Sequence, residues 1–166
     1  MMKMEFKAGV LIISDKGSRG ERVDKSGEAA IEILSNNGFT ITKTKIVPDN
    51  ISSIADTLIE WIENEGLSLI ITSGGTGLSP SDVTPQAMRT VIEYEVPGIA
   101  EAMRASSLTK TPHAMLSRAM AGVRGRCLII NLPGSPRGVK ENLVVVIPAL
   151  KHGLLKLSGD STDCAT

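Results

Sequence analysis

The segment at residues 70–85 joins a buried-strand pattern to a loop that can bind an anion. Residues 70–72 end an apolar run, and residues 73–77 then read Ser-Gly-Gly-Thr-Gly. Glycine lets the backbone turn sharply and lets a ligand lie directly on backbone N–H groups. Successive N–H groups of this kind bind phosphate without a lysine. One acid, Asp82, follows in the same loop and indicates a metal ion beside the phosphate.

This glycine loop matches neither of two common nucleotide-binding motifs. A Walker A motif requires a lysine after its last glycine, and none follows Gly77. A dinucleotide fingerprint requires a third glycine where this chain has Pro80. A nicotinamide-dependent dehydrogenase is therefore a poor interpretation. A phosphate-binding loop and a plain crossover turn remain open.

Apolar runs alternate with helical patterns along the chain, which predicts an α/β fold. Interleaved lysines in the second strand favour an edge position. We expect a three-layer α/β/α sandwich with a mostly parallel central sheet. A long loop is expected at residues 15–25, directly after the first strand. The predicted strands are residues 8–14, 40–47, 67–72 and 126–132, and the predicted helices are residues 26–37, 51–62, 85–95, 99–108, 113–121 and 138–157, the last kinked at Pro148.

Length and composition predict one soluble domain over residues 1–166. The formal net charge is zero and aromatic residues make up 2% of the chain, so neither a basic surface nor a stacking platform favours a nucleic-acid partner. No apolar run is long enough for a membrane span or a signal peptide, which predicts a cytoplasmic protein without a membrane partner. Cys127 is expected in the core and Cys164 in the terminal tail.

Four predicted strands end in polar or glycine-rich loops, at residues 14–15, 48–49, 73–82 and 131–137. Ligands of parallel sheets bind at the carboxyl ends of the strands, so these loops should meet at one rim. Alone, Asp15, Asp49 and Asp82 would each suit a turn or a helix cap. Together on a phosphate-binding rim they indicate Mg²⁺, which takes one or two carboxylates plus substrate phosphates.

Other polar residues have two interpretations each. Ser135, between two prolines, holds its hydroxyl either for a ligand or in a plain turn. Arg118 either reaches an anion or forms a surface ion pair. His113 and His152 favour structural or solvated roles, and nothing resembles a nucleophilic triad. Phosphoryl-type transfer needs no triad, because positioning and electrostatics carry the rate.

An ordered set of motifs resembles the MogA/MoaB family of molybdenum cofactor biosynthesis, whose domain also occurs in gephyrin and its plant counterpart. The set covers nearly the whole chain. It comprises Ser-Asp-Lys-Gly at 14–17, Asp-Lys-Ser-Gly at 24–27, Thr-Ser-Gly-Gly-Thr-Gly at 72–77, Asp-Val-Thr-Pro at 82–85, Pro-Gly-Ile-Ala-Glu at 97–101, Leu-Ser-Arg at 116–118 and Asn-Leu-Pro-Gly-Ser-Pro at 131–136.

The resemblance implies a molybdopterin-binding type of fold and a molybdopterin adenylyltransferase. Such an enzyme transfers AMP from ATP to molybdopterin and releases pyrophosphate, with Mg²⁺ as cofactor. The resemblance also implies a homotrimer and contact with the downstream molybdenum-insertion protein. The alternatives are a non-catalytic, MoaB-like molybdopterin-binding protein and a scaffolding module of the kind that gephyrin also provides.

Carried over to this chain, the resemblance makes Asp49 and Asp82 the catalytic residues and, with Glu101, the metal ligands. Asn50 stands where some relatives have an acid. The implied substrate- and nucleotide-binding residues are Ser14, Asp15, Ser73, Gly74, Gly75, Thr76, Gly77, Ser107, Ser117, Arg118, Pro133, Gly134, Ser135 and Pro136.

Overall fold

The computed structural model describes residues 5–162, so Cys164 lies outside the described residues. Within that range strands and helices alternate as the sequence predicts. The strands are β1 Phe6–Ile13, β2 Phe39–Val47, β3 Leu69–Ser73, β4 Tyr94–Glu95, β5 Ala121–Arg124 and β6 Cys127–Leu132. The helices are α1 Asp15–Ser18, α2 Ser26–Asn36, α3 Ile51–Glu63, α4 Thr84–Val91, α5 Pro97–Leu108 and α6 Pro136–Leu157, with a 3₁₀ helix at Pro112–Leu116.

The six strands form one mostly parallel sheet in the order β2-β1-β3-β6-β5-β4. The first four in that order run parallel, and β5 is antiparallel to both of its neighbours, β6 and β4. Helices α2, α5 and α6 cover one face of the sheet, and α3 and α4 cover the other. The predicted α/β/α sandwich is confirmed, and the lysine-bearing β2 lies at the sheet edge as expected.

Strand β1 shows why its apolar run is continuous. Val10 and Ile12 lie in one core, whereas Leu11 and Ile13 lie in the core on the opposite face. A strand covered by helices on both faces buries successive residues, so the run does not alternate. Cys127 is buried in the second of these cores, and burial raises the pKa of its thiol to about 12. That thiol is a core group, as predicted.

Helix ends follow the local chemistry of the sequence. The Asn50 side chain accepts a hydrogen bond from the Ser53 N–H at 2.9 Å and caps α3. Gly38 has a φ of 82° just after α2 ends.

No helix within residues 5–162 is long and apolar enough to cross a membrane.

Three predicted elements were wrong. The loop predicted at residues 15–25 begins with the short helix α1, and the helix predicted to reach residue 95 ends at Val91. Of the helix predicted at residues 113–121, only the 3₁₀ turn forms, and β5 follows it. Strand β5 is instead set by its pairing with β6, across a hairpin that turns at Gly125 with a φ of 58°, and with β4, and helical periodicity does not detect such pairing.

Candidate functional site

The carboxyl ends of the four parallel strands meet at one rim, as predicted. The Ser14 N–H donates to the Val47 carbonyl at 2.9 Å, which joins the ends of β1 and β2. The Gly74 N–H donates to the Leu132 carbonyl at 3.0 Å and joins the ends of β3 and β6. Two cavities of opposite charge lie at this rim.

The first, which we call the acidic cavity, has a volume of about 370 Å³. Its charged side chains are Asp24, Asp49, Asp82 and Arg22. Three carboxylates facing one guanidinium give the cavity a negative balance, so a phosphate could enter only together with a cation. The predicted residues that line it are Ser14, Asp49, Ser73, Gly74, Gly75, Asp82, Gly134 and Ser135.

The second, which we call the basic cleft, has a volume of about 540 Å³. It contains Arg104, Lys110, Arg137 and His113, and Glu141 is the one acid among its described lining residues. Glu141 Oε1 lies 2.9 Å from Arg137 Nε and 3.3 Å from Lys110 Nζ, and its hydrogen bond with Arg137 lowers its pKa. The predicted residues that line the basic cleft are Thr76, Gly77, Ser107, Ser117, Pro133 and Ser135.

The glycine loop and the β6–α6 turn separate the two cavities. Gly74 and Gly75 line the acidic cavity, whereas Thr76 and Gly77 line the basic cleft. Ser135 lines both, and its hydroxyl accepts from the Gly138 N–H at 3.0 Å to cap α6. Ligand groups bound in the two cavities would therefore lie next to each other.

Two glycines of the loop are required by close backbone contacts. Gly74 has a φ of 109°, and a Cβ there would collide with the Ile13 carbonyl oxygen of β1. Gly75 has a φ of 67°, and a Cβ there would collide with Thr84 Oγ1. The Thr84 hydroxyl donates to the Gly74 carbonyl at 2.8 Å and ties the loop to the start of α4. These contacts fix the loop on both sides.

Asp49 is held by a reciprocal pair of hydrogen bonds with Asp15. The Asp15 N–H donates to Asp49 Oδ2 and the Asp49 N–H donates to Asp15 Oδ1, both at 2.9 Å. Burial raises the pKa of Asp49, the negative charges of Asp15 and Asp82 raise it further, and the hydrogen bond from Asp15 opposes them. Asp15 lines neither cavity, so the structure places it as a support for Asp49.

Asp49→Asn should raise the melting temperature of the ligand-free protein at about pH 7, and by less at about pH 4. A carboxyl whose pKa is raised in the folded state destabilises the fold once it is charged. This penalty disappears as the pH falls through the raised pKa. The introduced amide keeps an oxygen for the Asp15 N–H. Thermal melts of the variant and of the unsubstituted protein at both pH values measure the gain in melting temperature. A gain at the lower pH that equals or exceeds the gain at the higher pH would contradict the prediction.

The residues of the acidic cavity fit a divalent cation. Asp82 Oδ2 accepts from the Ser79 N–H at 3.0 Å, and a Cβ on Gly77 would lie 2.8 Å from that oxygen. The negative charge of Asp82 helps to raise the pKa of Asp49, and a cation would offset that effect. Among residues 5–162 no group of three His, Cys, Asp or Glu side chains is placed to hold a metal. Mg²⁺ is usually bound by one or two carboxylates together with the phosphates of a ligand, and seldom by protein ligands alone. The pair Asp49 and Asp82 suits this kind of coordination.

Arg118 braces the glycine loop and lines neither cavity. Its guanidinium donates to the Gly77 carbonyl at 2.8 Å and to the Asp82 carbonyl at 2.6 Å, with a third contact to Gln86 at 3.2 Å. From the sequence, Arg118 was expected either to reach an anion or to form a surface ion pair. Its contacts in the structure are of neither kind. The planar guanidinium holds the segment between Gly77 and Asp82 by two carbonyls at once.

Arg118→Lys should speed hydrogen exchange of the backbone amides at residues 77–82 by about 10-fold or more, because one ammonium group cannot replace the two-carbonyl fork. Exchange followed by mass spectrometry measures this. Arg19→Lys is the matched control, since Arg19 binds Glu21 at the surface. Equal protection of residues 77–82 in both variants would contradict a bracing role.

Besides Asp15 and Arg118, two further predicted site residues lie outside both cavities. Pro136 is the first residue of α6, and Glu101 is exposed on α5. The residues of α5 that line the basic cleft are Met103, Arg104 and Ser107, and Glu101 lines neither cavity. The structure therefore does not bring Glu101 together with Asp49 and Asp82.

Several cavity residues were missed from the sequence. Arg104, Lys110, Arg137, Glu141 and Asn142 come from α5, α6 and the loop after α5, and no local pattern links them. Asp24 and Ser26 stood in the Asp-Lys-Ser-Gly motif at residues 24–27, which was the one available indication of their placement.

The fold and the rim place the chain in the class of α/β domains whose ligands bind at the carboxyl ends of parallel strands. The chain belongs to the family described as probable molybdopterin binding domain, whose model matches residues 9–152.

Three comparisons illustrate this membership. Gephyrin from Dictyostelium discoideum is 42% identical over 160 residues, which are 90% of this chain and 22% of that protein. Molybdopterin adenylyltransferase from Helicobacter pylori strain J99 is 40% identical over 146 residues, 87% of this chain and 83% of the relative. The molybdopterin biosynthesis enzyme MoaB from Thermus thermophilus has 50% sequence identity to this chain. Its crystal structure matches with a TM-score of 0.89 over 93% of this chain and 98% of that one.

Proposed function

We propose that the protein is a molybdopterin adenylyltransferase, which transfers AMP from Mg-ATP to molybdopterin and releases pyrophosphate. The observation that carries this proposal is the pair of adjoining cavities of opposite charge, separated only by the glycine loop and the β6–α6 turn. Such a reaction needs two phosphorylated substrates side by side. The similarity to a relative named for this activity supports the same conclusion.

The acidic cavity takes the phosphates of ATP in this proposal. Asp49 and Asp82 would hold Mg²⁺, which when bound neutralises the charge that develops on the leaving pyrophosphate. The glycine loop would bring its backbone close to the phosphates, because Gly74 and Gly75 line this cavity and have no side chains to keep a ligand away. Asp15 keeps the Asp49 carboxylate oriented through its two hydrogen bonds.

The basic cleft takes molybdopterin, whose phosphate is an anion. Arg137 and Lys110 share Glu141 as their counter-ion, so an incoming phosphate could take its place beside both cations. Ser107 lies in the same cleft and is hydrogen-bonded to Asn142 at 3.3 Å. These groups would hold the pterin phosphate at the boundary formed by Ser135 and the glycine loop.

In the transfer step, an oxygen of the pterin phosphate forms a bond to the α-phosphorus of ATP, and the bond to the pyrophosphate oxygen breaks in line with it. The attacking oxygen is already anionic near neutral pH, so the chain needs no strong general base. The residues of the two cavities align the substrates, and this positioning supplies most of the rate.

We also propose a cytoplasmic homotrimer that contacts the downstream molybdenum-insertion protein. This proposal rests on the family resemblance. The match to 22% of the longer gephyrin chain supports an association with further domains of the same pathway.

The purified protein incubated with molybdopterin and Mg-ATP tests the activity directly. Release of one pyrophosphate for each adenylylated molybdopterin is the expected result. Molybdopterin binding without pyrophosphate release would instead assign the binding-only, MoaB-like function. Absence of both would leave a scaffolding role of the gephyrin kind.

A further inference from the structure

Arg22 supplies the guanidinium of the acidic cavity, and the function proposed above gives it no role. It belongs to the segment between α1 and α2, which is anchored on both sides of this residue. The Glu21 N–H donates to the Lys16 carbonyl at 2.9 Å, and the Gly27 N–H donates to Asp24 Oδ2 at 2.7 Å. A short, anchored piece of backbone therefore presents Arg22 to the cavity.

The hydrogen-bond donors of Arg22 are unused by the protein. A guanidinium has five N–H donors and no acceptor. Within residues 5–162, no hydrogen bond or ion pair uses the Arg22 side chain. In the basic cleft, by contrast, Arg104 donates to the Ala119 carbonyl at 2.8 Å and Arg137 donates to Glu141 at 2.9 Å. Among the described arginines that line a cavity, Arg22 alone keeps all of its donors for a ligand.

The carboxylates of the acidic cavity are bonded to other groups. Both oxygens of Asp24 accept protein donors, and Asp49 and Asp82 each accept a backbone N–H. A guanidinium that served to neutralise these acids would lie within about 4 Å of one of them. No such ion pair occurs in the part of the chain that the structure describes. The positive charge of the cavity is therefore available to an anion.

We infer that Arg22 is a substrate-binding residue whose guanidinium holds a phosphate group of the nucleotide in the acidic cavity. The inference rests on the proposed function, in which this cavity takes ATP. The planar guanidinium fork matches two oxygens of one phosphate. Asp49 and Asp82 serve the metal ion and Arg22 serves the phosphate directly. The phosphate is either the α-phosphate, which stays with AMP, or one of the two that leave as pyrophosphate.

Arg22→Gln should raise the Kd for ATP about 10-fold at a fixed concentration of Mg²⁺, because a charged two-oxygen contact is lost. Loss of a positive charge beside the three carboxylates would by itself tighten Mg²⁺ binding, so weaker ATP binding cannot come from loss of the metal. Titration calorimetry of the variant and the unsubstituted protein measures the Kd. Equal or tighter binding by the variant would overturn the inference.

Arg19→Gln is the matched control, since it removes the same charge from the same part of the chain. Arg19 binds Glu21 and lines neither cavity. Its loss should change the Kd by less than about 2-fold, because solvent and salt screen an exposed charge that does not touch the ligand. A rise equal to that of Arg22→Gln would assign the effect to net charge and overturn the inference. Thermal melts show that both variants retain the fold.

Arg22→Lys separates a direct contact from the presence of a positive charge at this position. The ammonium group keeps the charge but cannot form a two-oxygen fork. The Kd for ATP should therefore recover only in part, to about 3-fold above that of the unsubstituted protein. Complete recovery would show that charge alone is sufficient, which contradicts the two-oxygen contact.

AMP and inorganic pyrophosphate, each with Mg²⁺, distinguish the two phosphate sources. If Arg22 holds the α-phosphate, Arg22→Gln should weaken AMP binding and leave pyrophosphate binding unchanged. If it holds a phosphate of the leaving group, the reverse should be found. Weakening of both would place the guanidinium between the α- and β-phosphates. Unchanged binding of both would overturn the inference.

The turnover assay with molybdopterin and Mg-ATP distinguishes failure of this inference from failure of the proposed function. Pyrophosphate release together with an unchanged Kd in Arg22→Gln would overturn the inference and retain the proposed function. Weaker ATP binding by Arg22→Gln without any turnover by the unsubstituted protein would refute adenylyl transfer and retain the inference. An unsubstituted protein that binds neither ATP, AMP nor pyrophosphate would overturn both.

Discussion

Asp82→Asn should lower the rate of adenylyl transfer about 10²- to 10³-fold, while molybdopterin binding changes by less than about 2-fold. The substitution removes one of the two carboxylates that face the proposed metal position in the acidic cavity. Molybdopterin is assigned to the basic cleft, which Asp82 does not line. Pyrophosphate release and direct titration with molybdopterin measure the two quantities separately.

The fold of the loop should survive this substitution. The introduced amide keeps an oxygen that can accept the Ser79 N–H, and Arg118 holds the backbone carbonyl of residue 82 rather than its side chain. Asp56→Asn, which removes an exposed carboxylate of α3 outside both cavities, is the control for loss of one charge. Full turnover by Asp82→Asn would exclude the catalytic role assigned to Asp82, and loss of molybdopterin binding would show that the two cavities are not separate subsites.

Gly74→Ala should destabilise the folded protein by about 2–5 kcal/mol, through left-handed backbone strain and a collision. The added methyl group would meet the Ile13 carbonyl, which belongs to a central strand and cannot move alone. Urea unfolding of the variant and of the unsubstituted protein measures the free energy of unfolding.

Gly159→Ala is the matched control for this prediction. Gly159 has a φ of 97°, close to the 109° of Gly74, but nothing lies within 4 Å of a Cβ at that position. The control therefore carries the backbone strain without the collision, and its loss should be about 1–2 kcal/mol. Equal losses at the two positions would show that the contact with the Ile13 carbonyl has no energetic weight.

The rim was predictable from the sequence because its residues lie next to strand ends. A continuous apolar run such as residues 10–13 indicates a strand covered on both faces, and parallel strands place their carboxyl ends at the same edge. The loops after β1, β2, β3 and β6 could therefore be assigned to one place before their contacts were known. The acidic cavity follows from this geometry.

The basic cleft could not be predicted in the same way. Arg104 and Arg137 belong to different helices, and each alone suits an ordinary solvated helix face. Only the packing of α5 against α6 brings them together. The β5 strand escaped prediction for a related reason, since its pairing with β6 and β4 comes from the sheet and not from its own four residues.

The role of Arg118 shows a third limit of sequence analysis. Its charge suggests an anion or an acidic partner, yet its hydrogen bonds go mainly to main-chain carbonyls, which every residue has. No side-chain pattern in the sequence can identify such partners. The function of this residue depends on the path of the backbone between Gly77 and Asp82.

The backbone contact between the glycine loop and the β6–α6 turn makes these two segments inseparable for protein engineering. A Cβ on Gly134 would lie 3.2 Å from the Cα of Gly74, so each segment limits the shape that the other can take. A graft of the glycine loop into another α/β protein would have to include residues 133–136 as well. For the same reason, libraries that vary either segment should be built with both randomised together.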